Sequence, residues 1–325
     1  SPDTYAVMEF SNQFEIDIAK GMYSKYPKLG DAVDGWPMWN PLRELDMGTD
    51  NELFENNIAG LPLYQGSMVT HHDYRAKGYV SGHGRNVLWH ELPFGSSSKR
   101  IHPQWRVLSE RIPGKISDRI KRYRIGFCDI ARADDRRSLM AALIPANAVC
   151  GHKVPTIEFL PYSCDAMLLW LAVANSLTMD FIVRMKISLT MSMSVLASLP
   201  FPRKVEIGTA SARAAALAAR LSAVGPEMAD FRAQLLTVPS LVGEILLPCE
   251  DPTERALLAA ELDVVVARDL FGITRQQMEY LLDPQSVLGA SCTAETFAAL
   301  RRAEVREYGE YRTQRLVLAA WDAGE

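Results

Sequence analysis

The chain has 325 residues, a hydrophobic content of 48% and a formal net charge of −4, so a packed globular core is expected and disorder is not. Its five cysteines are odd in number and widely spaced, with no Cys-x-x-Cys pair, which fits reduced thiols in a cytoplasm and argues against a structural zinc site. The longest nearly unbroken apolar run, 166–174, is too short to span a bilayer, and no signal-peptide pattern opens the chain, so no membrane association is expected.

In chain order, residues 1–60 are acidic and rich in aromatics. The opening Ser1-Pro-Asp-Thr4, without an initiator Met, reads as part of a longer polypeptide or a processed product. Phe14 to Met22 has the spacing of a short amphipathic helix, and the Gly35-Trp-Pro-Met-Trp-Asn-Pro41 cluster is expected to break regular structure. This segment reads as a connector whose Trp36 and Trp39 meet a neighbour or bury against the chain's own body.

From Leu61 the pattern changes to short runs separated by turn residues. Asn86–Leu92, Tyr123–Ile130 and Ser138–Ile144 read as strands, and the second, lacking clean alternation, is expected to be covered on both faces. Ser163–Lys186 reads as one long helix with basic residues at its negative end. A hydroxyl-rich Ser188–Ser194 and the prolines at 200 and 202 close the unit. Beyond Lys204 everything reads as helical: an Ala-rich run from Thr209, a helix capped by Asp251-Pro-Thr-Glu254, a stop at Gly272, a new start at Thr274, and a last helix over 293–321. The prediction is an α+β body over 61–204, with a small mixed sheet and a long packed helix, followed by an all-helical region over 205–325.

Charge is strongly segregated along the chain. Residues 71–153 hold 16 Lys and Arg against 7 Asp and Glu, whereas both flanks are net acidic. Such a segment is the footprint of a surface that meets a polyanion, and it equally describes a solvated face of scattered cations. No phosphate loop, nucleophile elbow or His-Glu-x-x-His motif occurs, and Gly82-His-Gly84 reads as a turn. The His71-His72-Asp73 triplet is a weak metal candidate, because adjacent side chains diverge on a regular backbone. Arg132, Arg136 and Arg137, set among Asp134 and Asp135, form either a contact loop or a salt-bridged turn.

Several stretches, in order, resemble a known family. They are Tyr64-x-Gly66-x-Met68 with Asp73-x-Arg75; Gly126-Phe-Cys-Asp-Ile-Ala131; Asn175-Ser176 to Asp180-Phe with Arg184-x-Lys186; Leu199-Pro-Phe-Pro202; Glu254-Arg-Ala to Glu261-Leu-Asp263; Phe271-Gly-Ile-Thr274; and Tyr308-Gly-Glu-Tyr-Arg-Thr313. Together they are similar to the C-terminal half of Type IIG restriction-modification adenine-specific DNA methyltransferases and related phage-defence methylases. Departures occur at Ser67, Thr70, Cys128 and Ser188-Leu189, where the family usually has Lys, His, Arg and a Gly-Gly pair. In that family an upstream domain binds S-adenosylmethionine and carries an Asn-Pro-Pro-aromatic motif, which this chain lacks. The resemblance implies a target-recognition domain over 61–204 and a helical support over 205–325, joined to an upstream methyltransferase domain or subunit, with double-stranded DNA as partner and no catalytic residue or cofactor in this chain. Candidate DNA contacts are Arg75, Lys77, Arg85, Lys99, Arg100, Arg132, Arg136, Arg137 and Lys153, with Lys186, Ser188 and Thr190 from the helix end and the turn after it. The alternative is a non-catalytic interaction scaffold in a defence assembly.

Overall fold

The structure is a computed structural model describing residues 8–56, 59–187 and 189–324. Its strands are β1 (Met38–Leu42), β2 (Leu61–Tyr64), β3 (Lys77–Ser81), β4 (Leu88–Glu91), β5 (Trp105–Val107), β6 (Arg124–Phe127), β7 (Ala141–Ile144), β8 (Val149–Cys150) and β9 (Thr156–Leu160). The helices are α1 (Gln13–Lys25), α2 (Cys164–Ala174), α3 (Leu177–Arg184), α4 (Met193–Ala197), α5 (Ala210–Ser222), α6 (Ala229–Leu235), α7 (Pro252–Val264), α8 (Arg275–Leu282), α9 (Pro284–Leu288), α10 (Ala298–Tyr308) and α11 (Arg312–Ala323), with a π-helical stretch, Val265–Leu270, continuing α7. The class is α+β.

Three small sheets replace the single mixed sheet expected. The largest, in the order β1-β9-β6-β7, is wholly antiparallel; only β5-β2-β8 is mixed, and β3 and β4 form a separate hairpin. The Gly35–Pro41 cluster does not break regular structure as predicted. Met38 to Leu42 pair with Leu160 to Thr156 along one edge of the large sheet. An edge strand tolerates Pro41, because a ring nitrogen without a proton costs nothing where no second neighbour needs the donor. All four residues of β6 are buried, in keeping with its non-alternating pattern.

The long helix expected over 163–186 is two helices bent by 64°. Ser176 supplies the reason: its Oγ accepts from the Met179 amide, restarting the helix, while Asn175 turns its amide onto β7, accepting from Ala141 N and donating to Ala141 O. Among the described residues no single helix is long and apolar enough to cross a membrane, and α2 with α3 is core. The last predicted helix is likewise split, by Gly309 at φ 76°. Three starts fall where the sequence places them: Thr209 and Asp251 accept from amides of the first turns of α5 and α7, and Thr274 and Gln277 form a capping box on α8.

One apolar cluster runs from Ile18 in α1, through β6, β7, β9 and α2, to Trp321 in α11, so residues on both sides of positions 60 and 204 share a core. A buried ionic lattice ties the first sixty residues to the middle of the chain. Arg124 is fully buried and bidentate on Glu44, with Nη2 to Oε2 at 2.8 Å; Glu44 also accepts from Thr156 and the Cys150 amide. Arg119 and Arg122 both bind Glu158. Charges in a low-dielectric interior persist only when paired and hydrogen-bonded, and these are.

Candidate nucleic-acid interface

The basic segment is far less cationic in space than along the chain. Arg111 pairs with Glu55, Lys121 with Asp118, and Arg119, Arg122 and Arg124 are held by Glu44 and Glu158. Acidic residues of the first sixty thus neutralise arginines of the middle.

Two of the candidate contacts, Arg75 and Lys99, are buried. Arg75 is 5% exposed and donates to the Lys99 and Val224 carbonyls. Gly225, at φ 99°, lets it lie there: a Cβ at that position would stand 2.5 Å from Arg75 Nη1. Lys99 is 6% exposed; its Nζ donates to Asp73 Oδ2 at 2.6 Å and to the Arg75 and Leu92 carbonyls, and it sits over the Phe94 ring. Burial pulls this ammonium below its ordinary pKa, against the pull of Asp73. Arg255 covers the Phe94 ring, at 3.5 Å from its centroid. A third candidate, Arg137, is half-buried and tied to Asp180 and the Asn175 carbonyl. Arg75 and Lys99 fasten the Asp73-x-Arg75 block internally and to the Val224 carbonyl, and Arg137 ties its loop to the corner between α2 and α3; Arg75 Nε lacks a partner among the described residues but is buried.

Lys77, Arg85, Arg132, Arg136, Lys153, Lys186 and Thr190 lie on or near two neighbouring clefts. The first, about 590 Å³, lies between the β3–β4 hairpin and the loops that follow β2, β6 and β8. Lys77, Trp89 and Glu91 line it from the hairpin, Gln65 and Ser67 from the first loop, Ile130 from the second and Lys153 from the third. Lys77 is paired with Glu91 at 2.8 Å, and Lys153 stands 3.5 Å from Asp129. Gly84, at the hairpin's turn, also lines the cleft, and Arg85 beside it is exposed with no ion pair among the described residues. The second cleft, about 600 Å³, is lined by Lys186 and Arg184 together with Glu9, Glu15 and Glu295.

A ridge separates the clefts. Ile130 lines the first and Ala133 the second, and Ile130 bridges to Thr190. Arg132 and Arg136 are exposed on this ridge; Arg132 is paired with Asp134 at 3.1 Å, whereas Arg136 carries no side-chain ion pair among the described residues. The turn is therefore salt-bridged at one arginine and open at another. Lys186 donates to Ser198 Oγ at 2.8 Å over the Tyr23 ring, and burial, with Lys28 nearby, pulls its pKa down to about 8. Arg100 is exposed, next to buried Lys99. Ser188 lies outside the described residues.

Sequence reasoning missed Trp89 and Gln65. Trp89 was read only as a strand residue, although the exposed Leu88 and Val80 around it mark a hairpin with little core of its own to cover. Gln65 Oε1 is buried without a hydrogen-bond partner, a property that only coordinates reveal. No family model and no curated protein matches the chain.

Proposed function

We propose that this chain recognises a sequence in double-stranded DNA as the target-recognition part of an adenine-N6 methyltransferase of the restriction or phage-defence kind. Transfer of the methyl group, and the S-adenosylmethionine that supplies it, belong to an upstream domain or subunit. The cytoplasm is the compartment that fits this role. The ordered resemblance suggests the family. The observation that carries the reading is the ridge between two clefts, with Arg132, Arg136 and Thr190 on it, Lys77, Arg85 and Lys153 at one side and Lys186 at the other. Phosphates take guanidinium and ammonium donors, and hydroxyls and amides read base edges.

A salt titration of duplex binding tests it. Binding should fall steeply with salt, and Arg85→Ala and Arg136→Ala should each flatten the log–log slope by about one unit, the value for one lost phosphate contact. Absence of duplex binding even at low salt would end the proposal. A second reading, the interaction scaffold, draws support from the stretch 236–257, where Leu236, Val242, Ile245, Leu247 and Leu257 are 54–76% exposed. A protein partner that co-purifies without DNA, and is lost on Leu247→Asp, would favour it.

A further inference from the structure

We infer that the first cleft holds a single nucleotide, with its base against Trp89 and its phosphate at Lys77 and Lys153. This rests on the DNA reading for its source, a nucleotide drawn out of the bound duplex. A cleft of about 590 Å³ falls within the roughly 300–1,000 Å³ typical of sites for small molecules, and it takes one unit of a strand while the duplex stays at the rim.

Its chemistry is divided as a nucleotide's is. Trp89 provides an indole and Ile130, 53% exposed, an aliphatic wall, the surfaces on which an unstacked base recovers its stacking. Gln65 Oε1 is a buried acceptor without a partner, and an amide can present either its oxygen or its nitrogen to a base edge. Ser67 adds an exposed hydroxyl. The two lysines, 41% and 42% exposed, stand ready for the phosphate. Lys77 is paired with a Glu91 that is itself 76% exposed, and ion pairs so open to water hold their partners weakly, so a phosphate can take the ammonium while Glu91 turns to solvent. A purely apolar ligand would leave the Gln65 acceptor and both ammonium groups unanswered; a free anion would leave the indole idle.

The test is fluorescence anisotropy with the full chain on a labelled duplex, fully paired or carrying one unpaired nucleotide, with deoxyadenosine monophosphate titrated separately. The bulged duplex should bind about fivefold or more tightly than the paired one. That preference should vanish in Trp89→Leu and return in Trp89→Phe. Equal affinity for the two duplexes, or a preference that survives Trp89→Leu, overturns the inference while the DNA reading stands. Failure to bind the paired duplex overturns the DNA reading alone if the monophosphate still saturates the cleft in a Trp89-dependent way, which assigns the site to a free nucleotide. If neither duplex nor monophosphate binds, both fall. A Trp89→Leu chain that loses its native circular dichroism is replaced by Gln65→Leu, for which the same loss of preference is expected.

Discussion

Asp73 accepts from Lys99 in a pocket where both are nearly inaccessible to water, and the same lysine closes two backbone carbonyls. Removing one member of such a pair leaves a stranded charge. Lys99→Met should therefore cost about 3–5 kcal/mol in urea unfolding, while a surface cation such as Arg100→Met should cost almost nothing. Nearby, His72 donates or accepts at Ser222 Oγ, 2.7 Å away, and burial, with Arg255 and Arg137 facing it, drives its pKa down to about 3. Between that value and the ordinary one of about 6.5, the unfolded chain binds a proton that the native state refuses. Stability is thus lost as pH falls below about 6.5, by up to about 1.4 kcal/mol per unit from this side chain. Asp263 acts in the opposite sense: burial raises its pKa to about 6, and its contribution is lost as pH rises through that value. The comparison that isolates the histidine is His72→Asn, which suits the left-handed backbone there, φ 55°; its unfolding free energy should depend less steeply on pH between 6.5 and 4.

At the scale of elements, Asn175 stands at the corner between α2 and α3 and extends the sheet by one rung, its side chain exchanging two hydrogen bonds with Ala141. Truncation to Ala leaves the buried Ala141 amide without its acceptor, while the Ala141 carbonyl keeps the His72 amide at 3.0 Å, so Asn175→Ala should lower stability by about 1–3 kcal/mol in chemical denaturation. This corner also shows where the sequence was and was not legible. Helix starts were readable because a cap is local: Thr209, Asp251 and Thr274 each bond an amide two or three residues on. The break at 175–176 was not, because the apolar pattern runs straight through it and the partner that turns the chain lies 34 residues back. Likewise β1 was hidden behind two prolines and a glycine, since pairing with β9, more than a hundred residues away, decides it. For the site, residue types such as Lys77, Arg85 and Arg136 could be named from charge alone. Which cations lie buried could not, because Glu44 and Arg124 are 80 residues apart and their union leaves no periodic trace.

For the whole molecule, the acidic opening and the basic middle form an intramolecular salt. Residues 1–60 supply Glu44 to Arg124, Glu55 to Arg111 and the Asn40 carbonyl to Arg119, as well as the strand that covers one edge of the large sheet. A fragment begun at residue 61 would therefore be a misleading reagent. Stripped of these counterions and with β9 laid open, it should bind any polyanion more strongly than the intact chain, lose sequence preference, and show a steeper salt dependence in the same titration, while tending to associate through its bare sheet edge. Tight binding by the shortened chain would measure what had been cut away: the carboxylates of the opening segment already occupy the guanidinium groups of Arg111 and Arg124.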